Sequence, residues 1–159
     1  MTIAAGTRYL LTPDAYFSAD WLEREHSELF EQTWIRVGVE HDLTHAGDYI
    51  TDTVGHTPVL VVRGNDGEIR AFHNFCRHRG MTLAEDAGSC PKGFVCPYHR
   101  WNYGTDGALQ SVPQKQQYPR FDFADNGLIP IRGETWNSLV FVNISGAAER
   151  LIDWLGPFA

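Results

Sequence analysis

Cysteine is scarce in this chain of 159 residues, with only Cys76, Cys90 and Cys96 present. Three thiols cannot build the disulfide framework that staples small secreted domains. Positive charge is also in short supply: 13 Lys and Arg stand against 20 Asp and Glu, for a formal charge of −7 and a pI near 5.4. A nucleic-acid partner, whose phosphates need a basic face, is therefore not expected. No apolar run approaches the roughly 20 residues that span a bilayer, and the start, Met1-Thr2-Ile3-Ala4-Ala5-Gly6, lacks a basic flank and an apolar signal core. The expectation is a cytoplasmic protein with no membrane contact. Internal repeats and low-complexity stretches are missing as well. What is present, 43% hydrophobic residues and 13% aromatics, fits one globular domain with a real core and short arms.

The order of residues predicts an N-terminal helix followed by many short strands. Asp20 with Glu23 three positions on resembles a capping pair, and good helix formers run from there to Thr33. Trp21, Leu29, Phe30 and Trp34 would be its buried stripe. Strands are expected over 34–39, 48–53, 58–63 and 69–74, rich in β-branched and aromatic residues, with Gly64-Asn65-Asp66-Gly67 as a hairpin turn. Further strands are expected over 107–112, 128–132 and 135–144, then a short helix over 147–155 stopped by Gly156-Pro157. The fold class is all-β, a sandwich or small barrel.

Two short loops carry the chemistry. Cys76-Arg77-His78 and Cys96-Pro97-Tyr98-His99 each pair one thiol with one imidazole, and the 17 residues between them are enough to fold back and bring them together. Two mixed pairs suit a [2Fe-2S] cluster in which one iron takes both cysteines and the other both histidines. Two ferric ions, two sulfides and two thiolates sum to zero charge, so an added electron is tolerated better than on an all-cysteine dianion. Histidine ligation thus raises the potential to a range of about −150 to +300 mV. Each imidazole also keeps a second ring nitrogen whose proton is lost more readily beside ferric iron, so reduction should depend on pH on the alkaline side. Zinc is the alternative for any such quartet, but zinc sites usually space paired ligands by about two to four residues and often match them within a pair. A haem attachment would need Cys-x-x-Cys-His, which is absent.

The runs Asn74-Phe75-Cys76-Arg77-His78-Arg79-Gly80 and Cys96-Pro97-Tyr98-His99-Arg100-Trp101, with Tyr103 and Asp106-Gly107 after them, resemble the Rieske domain of Rieske non-haem iron oxygenase large (alpha) subunits. Gly47-Asp48-Tyr49, the stretch 58–63 and the stretch 139–143 are similar too, so the likeness covers almost the whole chain. It implies a Rieske-type β-sandwich with a cluster-binding subdomain over about 72–113, preceded by an N-terminal arm and helix over 1–40. The Rieske domain proper would occupy 41–146, and 147–159 would lead toward a catalytic domain. Cys76 and Cys96 would hold the inner iron, His78 and His99 the outer one. The implied role is relay of single electrons from a ferredoxin or flavin-dependent reductase to mononuclear Fe(II) in a C-terminal catalytic domain of the same or a neighbouring subunit, commonly in a homotrimer. Within 1–159 no catalytic residue and no hydroxylase activity is expected. A stand-alone Rieske ferredoxin is the competing reading, but such carriers are usually shorter and lack the N-terminal arm.

Departures from the family sort the subclass. Met81 and Tyr98 stand where high-potential Rieske proteins carry an extra cysteine pair, and Trp101 stands where they place a serine, which excludes that subclass. Fewer hydrogen bonds to the cluster favour a potential toward the bottom of the range. Arg100 occupies a place where glycine is commoner. Arg77, Arg79 and Arg100 flank the ligands, either as a basic collar that steers an acidic partner or as partners of Glu85 and Asp86. Trp101, Trp136 and Tyr103 would pack around the loops, with Trp101 and Tyr103, which keeps an aromatic hydroxyl there, also candidates for supporting the ligands or a docked partner. His26, His41, His45, His56 and His73 are not expected to carry chemistry, and Cys90 is read as a bystander.

Overall fold

The computed structural model of the chain describes residues 11–117 and 119–159; the reading of the first six residues lies outside this range. Its helices are short. A single turn, α1 (Asp14–Phe17), precedes α2 (Ala19–Arg24), which runs on as a π-helical turn over Glu25–Phe30. The cap is Ser18, in extended conformation, whose hydroxyl accepts from the Trp21 N–H at 3.3 Å. Asp20 lies inside the helix, so the expected capping pair is not used. The expected stripe also changes. Glu31 N–H reaches back five residues to His26, and the wider turn rotates the following side chains relative to an α-helix. Phe30 consequently packs on the core and Trp34 is buried, while Leu29 is 47% exposed.

Ten strands follow: β1 (Ile35–Val39), β2 (Asp48–Val54), β3 (Thr57–Arg63), β4 (Ile69–His73), β5 (Ala87–Ser89), β6 (Phe94–Val95), β7 (Asn102–Tyr103), β8 (Leu109–Ser111), β9 (Pro130–Trp136) and β10 (Leu139–Asn143). A helix α3 (Leu151–Leu155) and a 3₁₀ turn close the chain, so Gly156-Pro157 ends the α-helix without ending the coil. Among the described residues, seven strands form one antiparallel sheet in the order β1-β10-β9-β4-β3-β2-β5, and β6-β7-β8 form a second, small sheet. The large sheet curls. At Gly38 on β1 an added β-carbon would collide with Ile50 Cδ1 on β2, so the two strands close on each other over the core. The all-β expectation therefore holds.

Strand β3 explains why there are two cores. Successive side chains of a strand point to opposite faces, and Val59, Leu60, Val61 and Val62 are all buried. Val59 and Val61 join Leu43, Val54, Val140 and Val142 inside the curl. Leu60 and Val62 point the other way, onto Phe72, Phe94, Tyr103, Leu109 and both loop cysteines. The uninterrupted apolar run is what a strand covered on both faces requires. One expected boundary is wrong. The break anticipated near Gly133 does not exist: β9 continues to Trp136, and the turn is the two residues Asn137-Ser138, with φ of 48° and 62°. Positive φ at both central positions defines the mirror-image turn whose twist suits a hairpin.

Asn143, fully buried, ties the ends of the chain to the sheet. Its amide donates to the Thr33 carbonyl at 3.0 Å and its oxygen accepts from Ala148 N–H at 3.2 Å. The Trp34 indole N–H donates to the Glu149 carbonyl at 3.0 Å.

Candidate metal centre

The two ligand loops have the same backbone construction. In the first, which follows β4, Cys76 N–H donates to the Met81 carbonyl at 2.8 Å and Gly80 N–H donates to the Cys76 carbonyl at 2.9 Å. In the second, between β6 and β7, Cys96 N–H donates to the Trp101 carbonyl at 2.8 Å and Arg100 N–H donates to the Cys96 carbonyl at 3.0 Å. Both loops turn at a residue of positive φ, Gly80 at 68° and Arg100 at 60°. Glycine adopts this region freely, whereas a side chain makes it cost roughly 1–2 kcal/mol. The second loop thus carries arginine at the glycine position of the first.

The loops sort their donors by depth. Cys76 and Cys96 are both 1% exposed and pack in the same buried cluster. His78 is exposed and His99 half-buried, with their ring centroids 4.8 Å apart at an interplanar angle of 69°. Burial pushes the Cys76 thiol above its ordinary value, and the neighbouring Cys96 adds to this. The Tyr103 hydroxyl and the His78 backbone N–H act against it. Two buried thiols held together call for a cation to make both thiolates stable. Among the described residues, no three His, Cys, Asp or Glu side chains converge on one ion position. Two thiols and two imidazoles, paired by type at two depths, have the ligand chemistry that a two-iron cluster with one Cys₂ iron and one His₂ iron would need.

Several neighbours fix this geometry. Tyr103, fully buried on β7, places its hydroxyl 3.2 Å from Cys76 Sγ, and the same oxygen accepts from Arg77 N–H at 3.0 Å. Burial raises its pKa, so the phenol stays protonated and can donate to the sulfur. Asn74 clamps the return of the first loop: its amide donates to the Ala84 carbonyl at 2.8 Å and its oxygen accepts from Leu83 and Ala84 N–H. His78 stacks on Trp101 at 4.9 Å and 12°, and Trp101 meets Phe121 edge-on. These rings, with Val112, Pro113 and Gln114, line a groove of about 460 Å³ beside both histidines.

The remaining sequence-level candidates are placed elsewhere. Arg77, Arg79 and Arg100 are exposed, and among the described residues their side chains enter no ion pair, with Glu85 and Asp86 or any other acid. Trp136, at the end of β9, is not among the groove residues. His45 pairs with Asp48 at 3.3 Å on an exposed turn, and the His26 and His56 rings lie 3.8 Å apart, tilted by 53°, with His56 paired to Glu23 at 3.3 Å. Cys90 is half-buried and free. Sequence reasoning missed Asn74 and Phe121. The signal for Asn74 was a polar residue closing an apolar strand just before a ligand; Phe121 lies in an irregular segment with no periodicity to mark it.

Residues 33–122 match the model of the Rieske [2Fe-2S] domain. The chain belongs to the Rieske [2Fe-2S] domain family. It is 40% identical over 147 residues to the alpha subunit of biphenyl 2,3-dioxygenase from Rhodococcus jostii RHA1, covering 92% of this chain and 32% of that protein. It is 37% identical over 131 residues to the oxygenase subunit of glycine betaine monooxygenase from Chromohalobacter salexigens, covering 82% and 29%. Among solved structures, a quaternary ammonium Rieske monooxygenase in complex with L-carnitine superposes with a TM-score of 0.86 at 32% identity, over 91% of this chain and 41% of that one. Naphthalene 1,2-dioxygenase with indole gives 0.80 at 37% identity, over 85% and 31%. This Rieske domain spans about a third of the length of the curated relatives it matches, in their N-terminal part.

Proposed function

We propose that Cys76 and Cys96 hold the inner iron and His78 and His99 the outer iron of a Rieske [2Fe-2S] cluster, and that the domain relays single electrons inside a ring-hydroxylating type of oxygenase. The observation that carries this is the sorting of donors by depth: two thiols buried in one cluster, and two neighbouring imidazoles of which His78 is exposed and His99 half-buried. Bound there, the cluster supplies one-electron storage at a potential tuned by its ligands and their hydrogen bonds. The chain's own residues supply the rest. The two matched loops fix the ligands, Tyr103 donates a hydrogen bond to Cys76 Sγ, Asn74 holds the loop's return, and Trp101 keeps the His78 ring in one orientation. The buried thiols are shielded from water while the imidazole edge meets partners, which is the arrangement an electron relay needs.

On this reading the chain divides into an arm and helix over 1–40, which also lends β1 to the sheet, a Rieske domain over 41–146 with its cluster-binding part over about 72–113, and a connection over 147–159. Electrons arrive from a ferredoxin or flavin-dependent reductase and leave for mononuclear Fe(II) in a catalytic domain of the same or a neighbouring subunit, within a homotrimer. Two features support this whole-protein reading: the relatives are alpha or oxygenase subunits about three times as long, and His78 is exposed with His99 half-buried beside it. Cytoplasmic location is part of the same proposal; among the described residues, no helix is long and apolar enough to cross a membrane. The test is elemental. Protein purified without oxygen should contain about two irons and about two acid-labile sulfides per chain. Zinc without sulfide would overturn the reading.

A further inference from the structure

We propose that Arg100, together with Arg77 and Arg79, forms the docking surface for an acidic electron donor, a protein that presents carboxylates around its own redox centre. The inference rests on the electron-transfer reading above and names the partner chemistry of that same site. Three observations meet at Arg100. First, the residue holds φ of 60° at the position that Gly80 fills in the matched loop, so the fold alone would be better served by glycine. The arginine thus carries a backbone cost that, among the described residues, no ion pair or hydrogen bond of its own side chain offsets. Second, the guanidinium is exposed, and among the described residues neither it nor those of Arg77 and Arg79 has an ion-pair or side-chain hydrogen-bond partner. By contrast, Arg24, Arg70, Arg132 and Arg150 each have a carboxylate.

Third, the collar runs against the charge of the molecule. The three arginines lie next to the surface histidines, and the rest of the chain sets ten Lys and Arg against all twenty Asp and Glu. A basic donor would be drawn to the acidic bulk and away from the imidazole edge. An acidic donor is repelled by the net negative charge of the rest of the chain and attracted by the collar, so its encounters are biased toward the imidazole edge. Arginine rather than lysine suits the task, because its planar fork binds a carboxylate with two hydrogen bonds.

Stopped-flow kinetics of the cluster-loaded chain test this with two probes, cytochrome b5, whose haem edge is acidic, and cytochrome c, whose haem edge is basic. The pre-reduced chain gives one electron to ferric haem in either case, with no proton or co-reactant needed. The reaction with cytochrome b5 should slow as ionic strength rises. Arg100→Gly should slow it by about three- to tenfold at low salt while leaving cytochrome c unaffected or faster. The same variant should raise the thermal midpoint by about 2–4 °C, since glycine relieves the backbone. Arg100→Lys should keep most of the cytochrome b5 rate. Equal slowing with both probes would mean a damaged loop, and a cytochrome b5 rate indifferent to salt or to Arg100→Gly would mean no docking; either overturns the proposal. A chain that cannot be reduced at all fails before this experiment and counts against the cluster reading instead.

Discussion

At the scale of single residues, the donor types and their spacing were legible in the sequence, because a thiol and an imidazole one or two residues apart leave few chemical uses. The supporting groups were not, because hydrogen bonds to a loop depend on where the strand after it lands. Tyr103 is the clearest case. The sequence offers an aromatic hydroxyl here beside the ligand loops but not its partners, and β7 delivers that hydroxyl to both Cys76 Sγ and Arg77 N–H. Replacing it by phenylalanine keeps the ring in the core and removes one donor from the sulfur and one acceptor from the backbone. Tyr103→Phe should therefore lower the midpoint potential of the loaded domain, since the thiolate keeps more electron density. It should also cost about 1–3 kcal/mol of stability for the orphaned N–H. Protein-film voltammetry reads the first and denaturant titration the second; an unchanged potential would mean that the hydroxyl serves the loop alone.

Elements were predictable where pattern and turn chemistry agreed. The Gly64 to Gly67 turn between β3 and β4 lies where expected, closed by Gly64 N–H to the Glu68 carbonyl at 2.7 Å. The hairpin of β9 and β10 was misplaced because Gly133 read as a break, whereas it sits within the ladder opposite Val142. The real turn, Asn137-Ser138, lacks the glycine that would have announced it. That gives a direct prediction. Ser138→Gly creates the preferred Asn-Gly pair and relieves a positive φ, so it should stabilise the domain by about 0.5–1 kcal/mol. Thermal unfolding should show a rise of roughly 1–4 °C, and a fall would mean that Ser138 makes a contact more valuable than its conformation costs. The helix misreading has a different cause: a π-turn adds a residue that no heptad or capping pattern announces, and Leu29 is carried outward with it.

For the molecule as a whole, the sequence indicated an all-β fold but not how the sheet closes, since the approach of Gly38 to Ile50 joins residues with no shared local pattern. That closure sends the two faces of β3 into different cores, and one of them carries both cysteines. The proposed cluster site is therefore an outgrowth of the domain's own packing, with both thiols in the core and the imidazoles nearer the surface. Mössbauer spectroscopy of the oxidised, iron-enriched domain tests it most directly. Two iron sites of equal population and distinct isomer shift are predicted, one bound by Cys76 and Cys96 and one by His78 and His99. A single class of iron would contradict the account.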